Sequence, residues 1–191
     1  MYGYDKIESK TPELIMARGG QAPIEDVKDM IRDTLTGIGL DEVMTYSFYN
    51  AQVFDNLGLP ADDSRRKALQ IINPISDDFR TIRTTLTPCL LSTVAYNQAR
   101  QSERTAIFEV GRVFIPKTLP LTDFPEEKMV LAIAMSGKRN PLSWNTAKDA
   151  IDFYDIKGAL EEVMDSLQVK GLSYGCLLYT SPSPRDPKTS R

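Results

Sequence analysis

Two strand-like runs joined by a proline-rich loop set the terms on which this chain can fold. TAIFEVGRVFI (residues 105–115) is rich in β-branched and aromatic residues, with Gly111 marking a bulge or a close backbone approach. PKTLPLTDFP (116–125) cannot continue a strand, and MVLAIAM (129–135) follows as a nearly continuous apolar run, which predicts a central strand. A hairpin this apolar must be covered on its faces, and the rest of the chain offers helices to cover it. The expected fold class is therefore α+β, an antiparallel sheet flanked by helices.

Three helices have legible boundaries. Pro23 suits a first helical turn, Glu25 and Asp26 lie at the positive end of the helix dipole, and Ile24, Val27, Ile31 and Leu35 form one apolar stripe before Gly37 and Gly39 end the helix. Thr87 and Pro88 predict a second start, with Leu91, Val94, Ala95 and Gln98 along one face. Asp152 predicts the cap of a third, whose seam is Phe153, Ile156, Leu160, Val163 and Leu167. Between the first two, VMTYSFY (43–49) alternates, and its apolar, aromatic set of Met44, Tyr46 and Phe48 predicts the buried face of a half-buried strand. Residues 56–67 read as loop, and the short apolar run 69–72 stops at Asn73-Pro74, because the residue before proline leaves the helical region.

The chain contains no histidine, which removes Ser-His-Asp and Cys-His nucleophile systems and histidine-bearing zinc sites. Cys89 and Cys176 give neither a disulfide framework nor a CxxC spacing, so a reducing cytoplasm is the expected location. No apolar run reaches the roughly 18–20 residues of a membrane helix, and the start of the chain shows no secretory pattern. A formal net charge of −3 speaks against a free-standing nucleic-acid binder. Residues 1–20 read as the end of a preceding module and a linker, and 21–175 as the core domain, truncated on its C-terminal side. CLLYTSPSPRDPKTSR (176–191) breaks with everything before it and resembles translated adaptor or vector sequence, a natural flexible tail being the alternative.

Several side chains invite a chemical reading, each with a structural counterpart. Arg83, Glu109 and Arg112 could hold a ligand, but arginines beside a carboxylate on strands more commonly form structural pairs. Asp77-Asp78 could bind a divalent cation or simply form a solvated turn. Asp152, Asp155 and Lys157 could do acid–base work, although a helix cap and a one-turn ion pair explain them better. Trp144 could anchor a subunit interface or pack its own loop. Cys89, near a helix start, could be activated, and an inert thiol is the plainer reading.

Four blocks occur in an order that resembles the beta subunit of bacterial phenylalanyl-tRNA synthetase. They are GIGLDEVMTYSF (37–48), NPIS (73–76) followed by IRTTLTP (82–88), FEVGRVF (108–114) and DFYDIKGALE (152–161), and YGYD (2–5) is similar to the end of that subunit's preceding module. The resemblance implies a class II synthetase catalytic-like domain that has lost its catalysis. Ile24, Val27, Ile31 and Leu35, with the strand after them, would be the family's first motif, at a subunit interface. Asn73, Pro74, Arg83, Glu109, Gly111, Arg112, Asp155 and Lys157 would be retained motif scaffold. Where the catalytic alpha subunit continues its second motif into an ATP-holding arginine, this chain has Ile115-Pro116-Lys117. No catalytic, cofactor-binding or metal-binding residue is expected here. The whole enzyme would use ATP and Mg²⁺, pair two alpha with two beta chains, and bind tRNA(Phe). An ATP-dependent synthetase-like paralogue and a generic protein-interaction domain are the alternatives.

Overall fold

A computed structural model describes residues 3–11, 19–140, 144–145 and 149–171. The expected tail at 176–191 lies outside them. Helix α1 spans Pro23–Gly37, and β1 (Asp41–Glu42) follows directly. Next come β2 (Phe48–Tyr49), the short helix α2 (Val53–Asn56) and β3 (Thr81–Ile82), then α3 (Thr87–Ala99). The long hairpin is β4 (Arg104–Ile115) and β5 (Glu126–Gly137), and α4 (Phe153–Ser166) ends the described core. The main sheet has the order β1-β4-β5, and β2 and β3 form a second, two-stranded sheet.

The hairpin is antiparallel in unbroken register from Arg104↔Gly137 to Ile115↔Glu126. Gly111 pairs with Val130 inside that register, so it marks a close approach and not a bulge. β1 departs from the expected antiparallel pattern by pairing parallel to β4, Asp41 opposite Ile107 and Glu42 opposite Phe108. Among the described residues β4 is the central strand and β5 has a strand neighbour on one side only, where residues 129–135 predict a central strand. β5 carries apolar side chains on both faces, yet they are only half-buried, because α3 on one side and α1 with α4 on the other cover it incompletely.

α1 ends as its glycines predict. Gly39 takes the left-handed conformation (φ 88°), the Leu40 N–H reaches back to the Leu35 carbonyl at 3.0 Å, and Gly39 N–H to Thr36 at 3.0 Å. That turn drops Leu40 into the main core with Ile31, Leu35, Ala106, Phe108, Ala159 and Val163. Arg32 then ties helix to strand, its Nε donating to Glu42 Oε1 at 2.8 Å. The expected stripe is thus split: Ile31 and Leu35 are buried, whereas Ile24 and Val27 face solvent with Met30.

The other two helices keep part of the expected face, since Val94 on α3 and Val163 on α4 are buried. α3 buries Pro88, Leu90 and Val94, and Leu91 is exposed. α4 buries Ala159 and Val163, with Leu160 half-buried and Phe153 exposed. Its N-terminus is a full capping box. Asp152 accepts from the N–H groups of Tyr154 (2.8 Å) and Asp155 (3.3 Å), and Asp155 accepts from the Asp152 N–H (2.7 Å). Arg139 adds Nε to Asp155 at 2.8 Å.

Two predictions follow from the core and the cap. Leu35→Ala should cost about 2–5 kcal/mol in denaturant unfolding, and Val27→Ala should stay within about 0.5 kcal/mol. The Asp152 N–H and then the Arg139 guanidinium hold the Asp155 carboxyl below its ordinary value. A carboxyl depressed on folding stabilises above its unfolded pKa, and that contribution fades as pH falls through the folded one. Asp155→Asn should therefore lower the melting temperature at neutral pH and flatten its decline once pH drops below about 4, read by thermal melts across that range.

Candidate functional site

Of the residues singled out as motif scaffold, Arg83, Glu109 and Gly111 meet in one buried cluster. β4 alternates so that Phe108 faces α1 and α4 while Ile107 and Glu109 face the other way, towards α3. Arg83, just after β3, points at Glu109 from across the cluster, Nη1 to Oε1 at 2.7 Å, with both side chains at least 94% buried. Its Nε donates to the Arg112 carbonyl at 2.7 Å and its Nη1 lies 3.2 Å from Thr45 Oγ1. The second Glu109 oxygen accepts from the Thr45 hydroxyl at 2.6 Å. A buried ion pair needs such added hydrogen bonds to offset the desolvation of both charges.

Gly111 makes room for the pair. A Cβ built there would lie 2.6 Å from Arg83 Nη2 and 2.8 Å from Glu109 Oε1. The backbone locks the same junction: Arg83 N–H donates to Ser47 O and Phe114 N–H to Arg83 O, each at 2.9 Å. Next along the chain, the Thr84 hydroxyl donates to Arg65 O (2.6 Å), so Tyr49 Oη donates to Thr84 Oγ1 (3.2 Å) while accepting from Thr84 N–H (2.9 Å). Burial pushes the Tyr49 phenol above its ordinary pKa.

The remaining expected residues fall outside this cluster. The Arg112 side chain is exposed and pairs with Glu127 across the hairpin at 2.8 Å. Asn73 and Pro74 sit in a bend, where Asn73 is exposed. Asp155 belongs to the α4 cap, and Lys157 pairs with Glu161 one turn on. Asp77 pairs with Arg80 at 2.7 Å, and Ser76 Oγ accepts from the Asp78 N–H at 3.1 Å, a solvated turn. Burial raises the Cys89 thiol pKa, so helix position does not activate it. Trp144 stands 96% exposed. Among the described residues no group of three acidic or thiol side chains could hold a metal, and no helix is long and apolar enough to cross a membrane.

Sequence reasoning missed the orientation of residues 43–49. Val43, Thr45 and Ser47 are half-buried and Tyr49 is buried, whereas Met44, Tyr46 and Phe48 are exposed. They line an open groove of about 450 Å³ with Phe79, Pro88 and Cys89. Chemically, the cluster binds strands together: both Glu109 oxygens and the Arg83 Nε and Nη1 groups are occupied within the chain.

Removing one charge should therefore be costly and removing both should not. Arg83→Met is expected to destabilise by about 3–5 kcal/mol, and adding Glu109→Met should restore most of the loss. Gly111→Ala should fail comparably by displacing the pair. Chemical denaturation of the four proteins tests this.

A family model described as the phenylalanyl-tRNA synthetase beta chain CLM domain matches residues 7–181. The phenylalanine–tRNA ligase beta subunit of Symbiobacterium thermophilum is 40% identical over 167 residues, covering 87% of this chain and 18% of that one. The same subunit of Geobacter sulfurreducens is 36% identical over 172 residues, covering 90% and 21%. The chain thus spans about a fifth of the length of these relatives. Two solved structures of pyrrolysyl-tRNA synthetase from Desulfitobacterium hafniense superpose with TM-scores of 0.55 and 0.57. Each aligns over 78% of this chain, and over 46% and 48% of theirs, at 13% identity, a likeness of fold. With the class II synthetase architecture carried on a hairpin whose charged residues are spent on each other, the chain belongs to the phenylalanyl-tRNA synthetase beta-chain CLM (catalytic-like) domain family.

Proposed function

We propose that this chain is a non-catalytic, architectural part of a phenylalanyl-tRNA synthetase beta subunit. It supports the alpha subunit, which charges tRNA(Phe) with phenylalanine using ATP and Mg²⁺, in a cytoplasmic assembly of two alpha and two beta chains. The chain itself holds neither cofactor. The observation that carries this reading is the Arg83–Glu109 pair: the motif's buried charges satisfy each other at 2.7 Å. The strand beyond them ends in Ile115, Pro116 and Lys117, with no arginine to hold a nucleotide. An independent ATP-dependent paralogue would need that arginine, and a generic interaction domain leaves the ordered motifs without a reason.

Two exposed apolar surfaces support a subunit contact. Ile24 and Val27, with Met30, form the outward half of the α1 stripe, and Met44 and Tyr46 stand out from the segment after it. Ile31 and Leu35 serve the core instead, so the interface expected from the whole stripe narrows to its first half.

Co-expression with a bacterial alpha subunit tests the reading. A stable complex should elute on size exclusion, Val27→Asp should weaken it without lowering the melting temperature of the chain, and the chain alone should show no phenylalanine-dependent pyrophosphate exchange. Exchange activity in the isolated chain would sink the proposal.

A further inference from the structure

β5 is a twelve-residue strand with β4 as its one strand neighbour among the described residues. Along an antiparallel pair, residues that exchange both backbone bonds alternate with residues whose N–H and C=O groups point away. One step beyond the paired strands, the Lys138 N–H donates to the Glu103 carbonyl at 2.8 Å. The even-numbered residues of β5 therefore bond β4, and the odd-numbered ones aim their backbone groups at the open edge. Residues 149–151 show the same alternation, with Ile151 N–H on Gly137 O at 2.9 Å and Arg139 N–H on Asp149 O at 2.8 Å. That short stretch takes the end of the edge. The five N–H and five C=O groups of Glu127, Met129, Leu131, Ile133 and Met135 have no partner among the described residues.

Such an edge is commonly blunted by proline, a bulge or several charges. Residues 126–137 contain no proline, pair with β4 without a bulge, and carry charge only at Glu126, Glu127 and Lys128. Leu131 and Ile133 on one face, and Ala132 and Ala134 on the other, are half-buried and open towards the edge.

We propose that the edge of β5 is a self-pairing surface, which takes β5 of a second copy of this chain in antiparallel register about Leu131. The strand is complementary to itself in that register. Glu127 meets Met135, Met129 meets Ile133 and Leu131 meets its own copy, so every unpartnered group on both edges is bonded. Between them Lys128 faces Ala134 and Glu126 faces Ser136, so no like charges, which would oppose pairing, stand opposite each other. Each strand also begins at Glu126, directly after Pro125, at the point where the other copy's edge passes to residues 149–151. The product is one continuous sheet, β1-β4-β5 joined edge to edge with the same three strands of the second copy. The pairing does not draw on the function proposed above.

Sedimentation velocity of the full chain should show a monomer–dimer equilibrium with a midpoint at or below about 100 µM. Met129→Pro removes an outward N–H, twice in the symmetric pair, and no bond to β4, so it should weaken dimerisation by at least about tenfold. Met129→Ala, which keeps the N–H, should dimerise like the parent. The register is read with Cys89→Ser and Cys176→Ser as background. Residues opposed at a non-bonded position lie within disulfide reach, so mild oxidation of Lys128→Cys/Ala134→Cys should give a covalent dimer. Lys128→Cys/Ala132→Cys, one pair out of register, should link at least about tenfold more slowly. If Met129→Pro does not fold, the cysteine pairs decide. A chain that stays monomeric at about 100 µM would overturn the proposal. So would a dimer in which the two cysteine pairs link equally, since another surface would then join the copies.

Discussion

The buried contact between Arg83 and Glu109 is where the separate pieces of this fold meet. Arg83 lies between the small β2–β3 sheet and the long hairpin, with its N–H on Ser47 and its carbonyl on Phe114. Its side chain reaches Glu109, Thr45 and the Arg112 carbonyl. Two charges taken out of water are costly, so the pair persists only because nearly every oxygen and N–H around it is used. That requirement propagates outward. It leaves no room for a side chain at Gly111 and ties Thr45 to β4 through the Glu109 carboxylate.

What could be read from the sequence was what depends on periodicity and local chemistry. The start and end of α1 and the start of α4 follow from Pro23, Gly39 and Asp152 because caps are decided within a few residues. The hairpin followed from two long apolar runs. The strand order did not, because an apolar run reports what a strand can bury and not how many neighbours it has: β5 has the composition of a central strand and the position of an edge. The same limit shows at the start of α3, where Leu90 is buried and Leu91 exposed. Leu90 and Leu91 are chemically alike, and only the tilt against β4 and β5 picks Leu90.

The candidate site was legible in its membership and not in its consequences. Arg83, Glu109, Gly111 and Arg112 could be named from their blocks, and a structural pair was the expected reading for arginines beside a carboxylate. Which arginine pairs inside could not be read, since it depends on a contact between residues 26 positions apart. Thr45 was seen only as part of an alternating strand. Its hydroxyl bonds Glu109, 64 positions on, a contact that no local pattern shows.

The closed pair bears on how a catalytic-like fold is held together. A buried charge needs a partner and added hydrogen bonds to offset its desolvation. In this chain the charges close on one another, so the hairpin and the strands around it are held without any ligand. Arg83 and Glu109 thereby join residues 43–49, β3 and β4 at one junction, with the Thr45 hydroxyl and the Ser47 carbonyl as the other contacts.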